Sequence, residues 1–191
     1  MLDLNNIDPG DILLFSGDHL LSRGIQEFTD SPWNHAAIAI GNGLLVEATA
    51  AGIEINPINR LLRANTRMCV RRIRGLEFRK SRDICEYAEN AVGYGYDYWQ
   101  IITMGIYFAL RRLFGRAPLW LIGDIPGRMI CSYFVADCVR LAGIRFRLAK
   151  KLITPATLYR SIHFKTVFEY DTKKETITWQ LLHAPLTTLF H

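Results

Sequence analysis

The stretch "HAAIAIGNGLLVEAT", residues 35–49, constrains this chain more than any other. Two apolar runs flank Gly41-Asn42-Gly43, and such residues accept the positive φ of a tight turn, so the segment predicts a β-hairpin. The hairpin opens on His35 and carries one acid, Glu47, set between "LLV" and "AT". A carboxylate is costly to bury in such a strand unless it finds a partner. Register decides whether His35 is that partner. With a three-residue loop, Ile40 faces Leu44 and Glu47 faces Ala37, on the same side as His35. The two are then diagonal neighbours, with Cβ atoms about 7–8 Å apart. With Asn42-Gly43 alone as the turn, Glu47 opposes Ile38 and lies on the wrong face. Gly43 fits the left-handed position of a three-residue loop. The hairpin is therefore compatible with a Glu–His pair. The plainer reading makes Glu47 a solvent-facing strand carboxylate and His35 a structural residue.

A second stretch, "ICSYFVADC" at 130–138, reads as a helix following Pro126 and Gly127. Cys131 falls in its first turn, where unpaired N–H groups and the helix dipole favour a thiolate. Cys131, Phe134, Val135, Cys138 and Ala142 form one stripe, and Ser132, Ala136 and Arg140 are expected to face away. Cys138 lies two turns on, where the dipole effect has faded. Cys69 and Cys85 sit in apolar-periodic contexts. The plain alternative is that Cys131, too, is a small buried apolar residue. A Cys131–Cys138 bridge is excluded within one helix, since seven residues rise about 10.5 Å. Among five histidines only His35 opens a strand; the others are His19, His163, His183 and His191.

The 191 residues suffice for one core, and no linker or repeat divides them, so residues 1–191 are read as a single domain. Short strands are expected at 11–15, in "GIEINPI" and in "MCVRRIR". Helices are expected with Leu21, Ile25 and Phe28 on one stripe, over 81–92 with Ile84, Cys85, Ala88, Ala91 and Val92 on one face, and over 98–115. Residues 116–128 read as a loop. Thr154 and Pro155 are placed to start another helix, and "FKTVFEYDTKKETITWQLL" reads as a closing hairpin. The fold class is α+β, helices packed on a mainly antiparallel sheet.

The net charge of +5 favours anionic partners, but the arginines are scattered and no nucleic acid is expected. No Cys/His spacing suits zinc, so neither a metal nor a cofactor is expected. The N-terminus lacks a basic and apolar leader, which reads as cytoplasmic with free thiols. The longest apolar stretch, "YWQIITMGIYFAL" at 98–110, is shorter than the ~20 residues of a membrane span and reads first as a buried helix. Its second reading is an interfacial segment, because arginines follow among large apolar residues, with membrane-surface contact through residues 98–116.

"PGDILLF", "NHAAIAIGNGLLVEAT", "VGYGYDYW", "ICSYFVADC" and "ITPATLYRS", in that order, resemble the circularly permuted NlpC-like, papain-like proteins of the YiiX type. That group is related to the lecithin–retinol acyltransferase-like enzymes. The resemblance spans roughly residues 8 to 160. It implies a permuted papain-like fold, with Cys131 as nucleophile, His35 as general base and acid, and Glu47 orienting the imidazole. It further implies a thioester acyl-enzyme, with the Cys131 N–H as one oxyanion donor and Tyr96 or a loop N–H as the second. The expected activity is cysteine-dependent cleavage of an amide in a small peptide or cell-wall-like substrate. A lipid acyl hydrolase or acyltransferase, and a binding module on the same fold, are the alternatives.

Overall fold

A computed structural model describes residues 4–179, apart from 19, 124, 150–151 and 175. A seven-stranded antiparallel sheet is built from β1 (Ile12–Ser16), β2 (His35–Gly41), β3 (Leu44–Thr49), β4 (Gly52–Pro57), β5 (Arg67–Ile73), β8 (Phe164–Asp171) and β9 (Thr176–Trp179). Their order across the sheet is β4-β3-β2-β1-β5-β8-β9. The helices are α1 (Leu20–Thr29), α2 (Ile58–Ala64), α3 (Phe78–Asn90), α4 (Tyr98–Phe114), α5 (Cys131–Arg140) and α6 (Pro155–Arg160). Two short strands, β6 (Gly95–Tyr96) and β7 (Arg128–Met129), pair in parallel. The expected α+β class holds.

β1 is buried along its whole length because both faces of the sheet are covered there. On one face Leu14, Ile38 and Val46 pack with Ile84 of α3 and with Phe134 and Cys138 of α5. On the other, Phe15, Ala37 and Leu45 meet Ile58 and Leu61 of α2. The Gly10-Asp11 pair entering β1 is structural. Asp11 is buried and accepts from Arg72 Nε at 2.8 Å and Nη2 at 2.7 Å, and from the Asp8 N–H at 2.8 Å. Burial pushes its carboxyl up despite the guanidinium beside it.

The hairpin turn combines the two expected alternatives. Asn42 and Gly43 both have positive φ, 53° and 72°, as in a two-residue type I′ turn. Gly41 therefore faces Leu44, and Ile40 has no partner. That one-residue bulge restores the longer register further down the strand, where Ala37 faces Glu47.

Three expectations about helices need correction. Ser132 and Ala136 of α5 do not face solvent but are buried, because α6 and the segment before it cover that side; Ser132 Oγ donates to the Ile153 carbonyl at 2.7 Å. Val92 lies past the end of α3 and is exposed. α4 is not a buried helix: Met104 and Tyr107 pack on Ile122 and Ile130, whereas the opposite side, with Trp99, Ile102 and Ile106, is open. The loop after α4 holds one 3-10 turn, Leu119–Leu121, before β7. Among the described residues no helix is long and apolar enough to cross a membrane. α6 starts as expected, on a Thr154–Thr157 capping box with Pro155 in the first turn. The closing hairpin is present as β8 and β9, and its last residues lie outside the described ones.

Candidate active site

The position of His35 is fixed from the preceding loop. Asn34 donates its N–H to the Phe15 carbonyl at 3.0 Å, and its side chain exchanges two 3.2 Å hydrogen bonds with the Gly17 backbone. Trp33 is fully buried, with Tyr159 packed on its ring at 5.6 Å. These contacts tie the start of β2 to the end of β1, where His35 pairs with Phe15.

His35 shares a face with Ala37, and the bulge puts Glu47 on that face as well. The imidazole Nε2 lies 2.5 Å from Glu47 Oε2. Glu47 is buried, and its second oxygen accepts from Asn56 Nδ2 at 2.9 Å. Asn56 Oδ1 in turn accepts from Arg60 Nη1 at 2.5 Å. Both oxygens of the carboxylate are thus satisfied, which is what burying it requires. The reading of Glu47 as a solvent-facing carboxylate is excluded. Asn56 and Arg60 were not singled out by sequence. The available signal was the alternation in "GIEINP": it sets Glu54 directly across from Glu47 and Asn56 two residues further along the same face.

α5 packs on the opposite face of the sheet, with its N-terminus at the end where β2 begins. Cys131 is the first residue of α5, is 6% exposed, and its thiol is set against the His35 imidazole. Since Nε2 is taken by Glu47, the nitrogen left for the thiol is Nδ1. Burial alone would push this thiol up. The His35 hydrogen bond and charge, together with the N–H groups of Ala36 and Ser132, bring it below its ordinary value. For His35 burial favours the neutral ring, but the Cys131 and Glu47 contacts outweigh it and raise the imidazole to about 10. Both shifts favour a thiolate beside an imidazolium. The other three thiols are all pushed up by burial. The Cys131 N–H, at the first helical position, makes no hydrogen bond among the described residues.

A cleft of about 550 Å³ lies beside the imidazole, walled by His35, Glu47, Glu54, Asn56 and Tyr96. Tyr96 is held there by β6, and the segment before it is bonded to β4, with Ile53 N–H donating to the Tyr94 carbonyl at 2.8 Å. Of the other histidines, His163 stands exposed just before β8, and His19, His183 and His191 lie outside the described residues. The structure thus brings together all three residues singled out by sequence, with Tyr96 at the cleft wall.

Residues 6–103 match a family model described as permuted papain-like amidase enzyme, YaeF/YiiX, C92 family. A curated protein of Escherichia coli strain K12, the probable lipoprotein peptidase YaeF, is 27% identical over 172 residues. That match covers 80% of this chain and 63% of YaeF, so the chain spans under two thirds of that relative's length. The crystal structure of metalloprotein yiiX from Escherichia coli O157:H7 shares the fold, with a TM-score of 0.62 over 85% of this chain and 97% of that one, at 17% identity. Among the described residues here, no three His, Cys, Asp or Glu side chains cluster so as to hold a metal ion. With half of its length matched, the chain belongs to the permuted papain-like amidase family named for YaeF and YiiX.

Proposed function

We propose that this protein is a cysteine hydrolase that cleaves an amide bond through a thioester acyl-enzyme. The observation that carries the proposal is the pairing of the Cys131 thiol with an imidazole whose other nitrogen is held 2.5 Å from a buried carboxylate. The Cys131 thiolate attacks the amide carbonyl carbon, forming a C–S bond and an oxyanion. The free N–H of Cys131 is placed to donate to that oxyanion. The C–N bond then breaks, and the imidazolium of His35 gives its proton to the leaving amine. A water next attacks the thioester, His35 takes its proton, and the carboxylic acid leaves as the thiolate reforms. Glu47 stabilises the imidazolium and holds the ring's orientation, while Asn56 and Arg60 hold Glu47.

The test uses a panel of short peptide anilides and N-acyl anilides, with intact-mass analysis of acid-quenched protein. The expected result is an added mass equal to the acyl group, mapped to Cys131 and absent in Cys131→Ala. Amine release that persists in Cys131→Ala would overturn the proposal.

A further inference from the structure

α4 is apolar on two sides, and only one of them is covered. Trp99, Ile102 and Ile106, then Leu113 and Phe114 at its end and Trp120 in the following 3-10 turn, are between 49% and 79% exposed. A helix that is apolar all round is ordinarily surrounded, so this uncovered side calls for an apolar phase. The sequence from 98 to 123 contains three arginines and no acid. Its arginine end continues into a groove of about 810 Å³, where Arg145, Arg147 and Arg160 join Arg111 over Tyr107 and Phe108. Among the described residues no acidic side chain lines that groove, and Arg160 donates to the backbone carbonyls of Thr29 and Asp30. None of these arginines forms an ion pair among the described residues.

We infer that this surface docks on an anionic lipid bilayer, with the Trp, Phe and Leu side chains entering the head-group boundary and the arginines on anionic head groups. Aromatic and aliphatic residues flanked by arginines are the composition of an interfacial helix. A second copy of this chain fits poorly, because it would bring two sets of uncompensated arginines together. α4 also connects the patch to the chemistry. It begins on the N-cap Asp97, directly after Tyr96 at the cleft wall. A docked α4 therefore carries the cleft to the membrane surface. The consequence that the scissile amide belongs to a membrane-anchored molecule rests on the function proposed above; the docking itself does not.

The experiment is co-sedimentation of the full chain with large vesicles of phosphatidylcholine, with and without phosphatidylglycerol, at low salt. Two variants accompany it: Phe114→Ser with Trp120→Ser, and Arg111→Gln with Arg112→Gln and Arg116→Gln. All five positions are exposed, so the fold should persist, which circular dichroism checks. The expected result is binding to the anionic vesicles that weakens about a hundredfold in the triple arginine variant and at least about tenfold in the apolar variant. Site-resolved alkylation of Cys131 should be unchanged in both, which separates failure of docking from failure of the catalytic reading. No sedimentation with anionic vesicles overturns the inference, as does binding that both variants leave intact. Self-association without lipid that Phe114→Ser with Trp120→Ser abolishes also overturns it, and assigns the patch to a second copy.

Discussion

Cys131 and Cys138 stand on one helix, seven residues apart, both buried against the same sheet, yet their thiols are driven in opposite directions. Burial raises both. At Cys131 it is overcome by an imidazole held between thiol and carboxylate and by two backbone N–H groups. At Cys138 the neighbouring charge is Asp137, which adds to the rise. Helix and burial are therefore not what makes a thiol reactive here. The difference is the partner delivered by another strand. On the function proposed above, this is why one cysteine serves chemistry and the other only packing.

The largest test of this contrast is substitution of each cysteine in turn. Cys131→Ala should lower kcat by at least about a thousandfold. Cys138→Ala, which removes no group from the site, should leave kcat within about twofold. A comparable loss in Cys138→Ala would break the comparison. The next test separates the imidazole from the helix terminus. In His35→Ala, burial of the Cys131 thiol is largely unopposed, and its alkylation by iodoacetamide near neutral pH should slow on the order of a hundredfold. The Cys138 rate should not move. An unchanged Cys131 rate would assign the low thiol value to the helix N-terminus instead.

The pH profile sharpens the contrast further. Alkylation of Cys131 should reach its plateau below the ordinary thiol range, whereas Cys138 should react only at strongly alkaline pH. Hydrolysis should fall as His35 loses its proton near 10, because the leaving amine then has no acid. Stability has a matching sign. His35, raised to about 10, contributes stability that is full below 6.5 and is lost as pH rises through its folded value. Cys131, lowered from its ordinary 9.0, contributes stability that is full above 9.0 and is lost as pH falls through its folded value. Chemical denaturation across pH reads both limbs.

Asn56→Ala offers a smaller effect: kcat about tenfold lower with KM nearly unchanged, and an apparent Cys131 value shifted upward by alkylation, since Glu47 loses its restraint. The smallest expected change is in the stability of Cys138→Ala, a small cavity of about 1 kcal/mol and about 2–4 °C in Tm.

Much of this was legible in the sequence because the relevant signals are local. The apolar periods gave the hairpin and the helices, and the breakers before Cys131 located its helix start. What remained hidden depended on surroundings. Ser132 and Ala136 look outward on a helical wheel, but the segment at Ile153, 21 residues beyond Ser132, packs over them. The apolar length of 98–110 suggested burial, yet only one side of α4 finds neighbours. Asn56 and Arg60 act through a strand pairing that no single segment encodes. The turn was ambiguous because both candidate geometries are used at once, one at the tip and the other below it.

The unpaired Ile40 has a consequence for how this family of chains can vary. Side chains alternate across a strand, so a bulge of one residue acts as a parity bit for the hairpin. Deleting Ile40 would remove the bulge and still leave Ala37 opposite Glu47, whereas keeping Ile40 and pairing it straight into the ladder would set Glu47 opposite Ile38, on the far face. The site therefore answers to the pairing below the tip and not to the length of the tip itself. A slip of one residue would separate Glu47 from His35 without changing a single side chain, while a shorter tip that holds the lower pairing would keep them together.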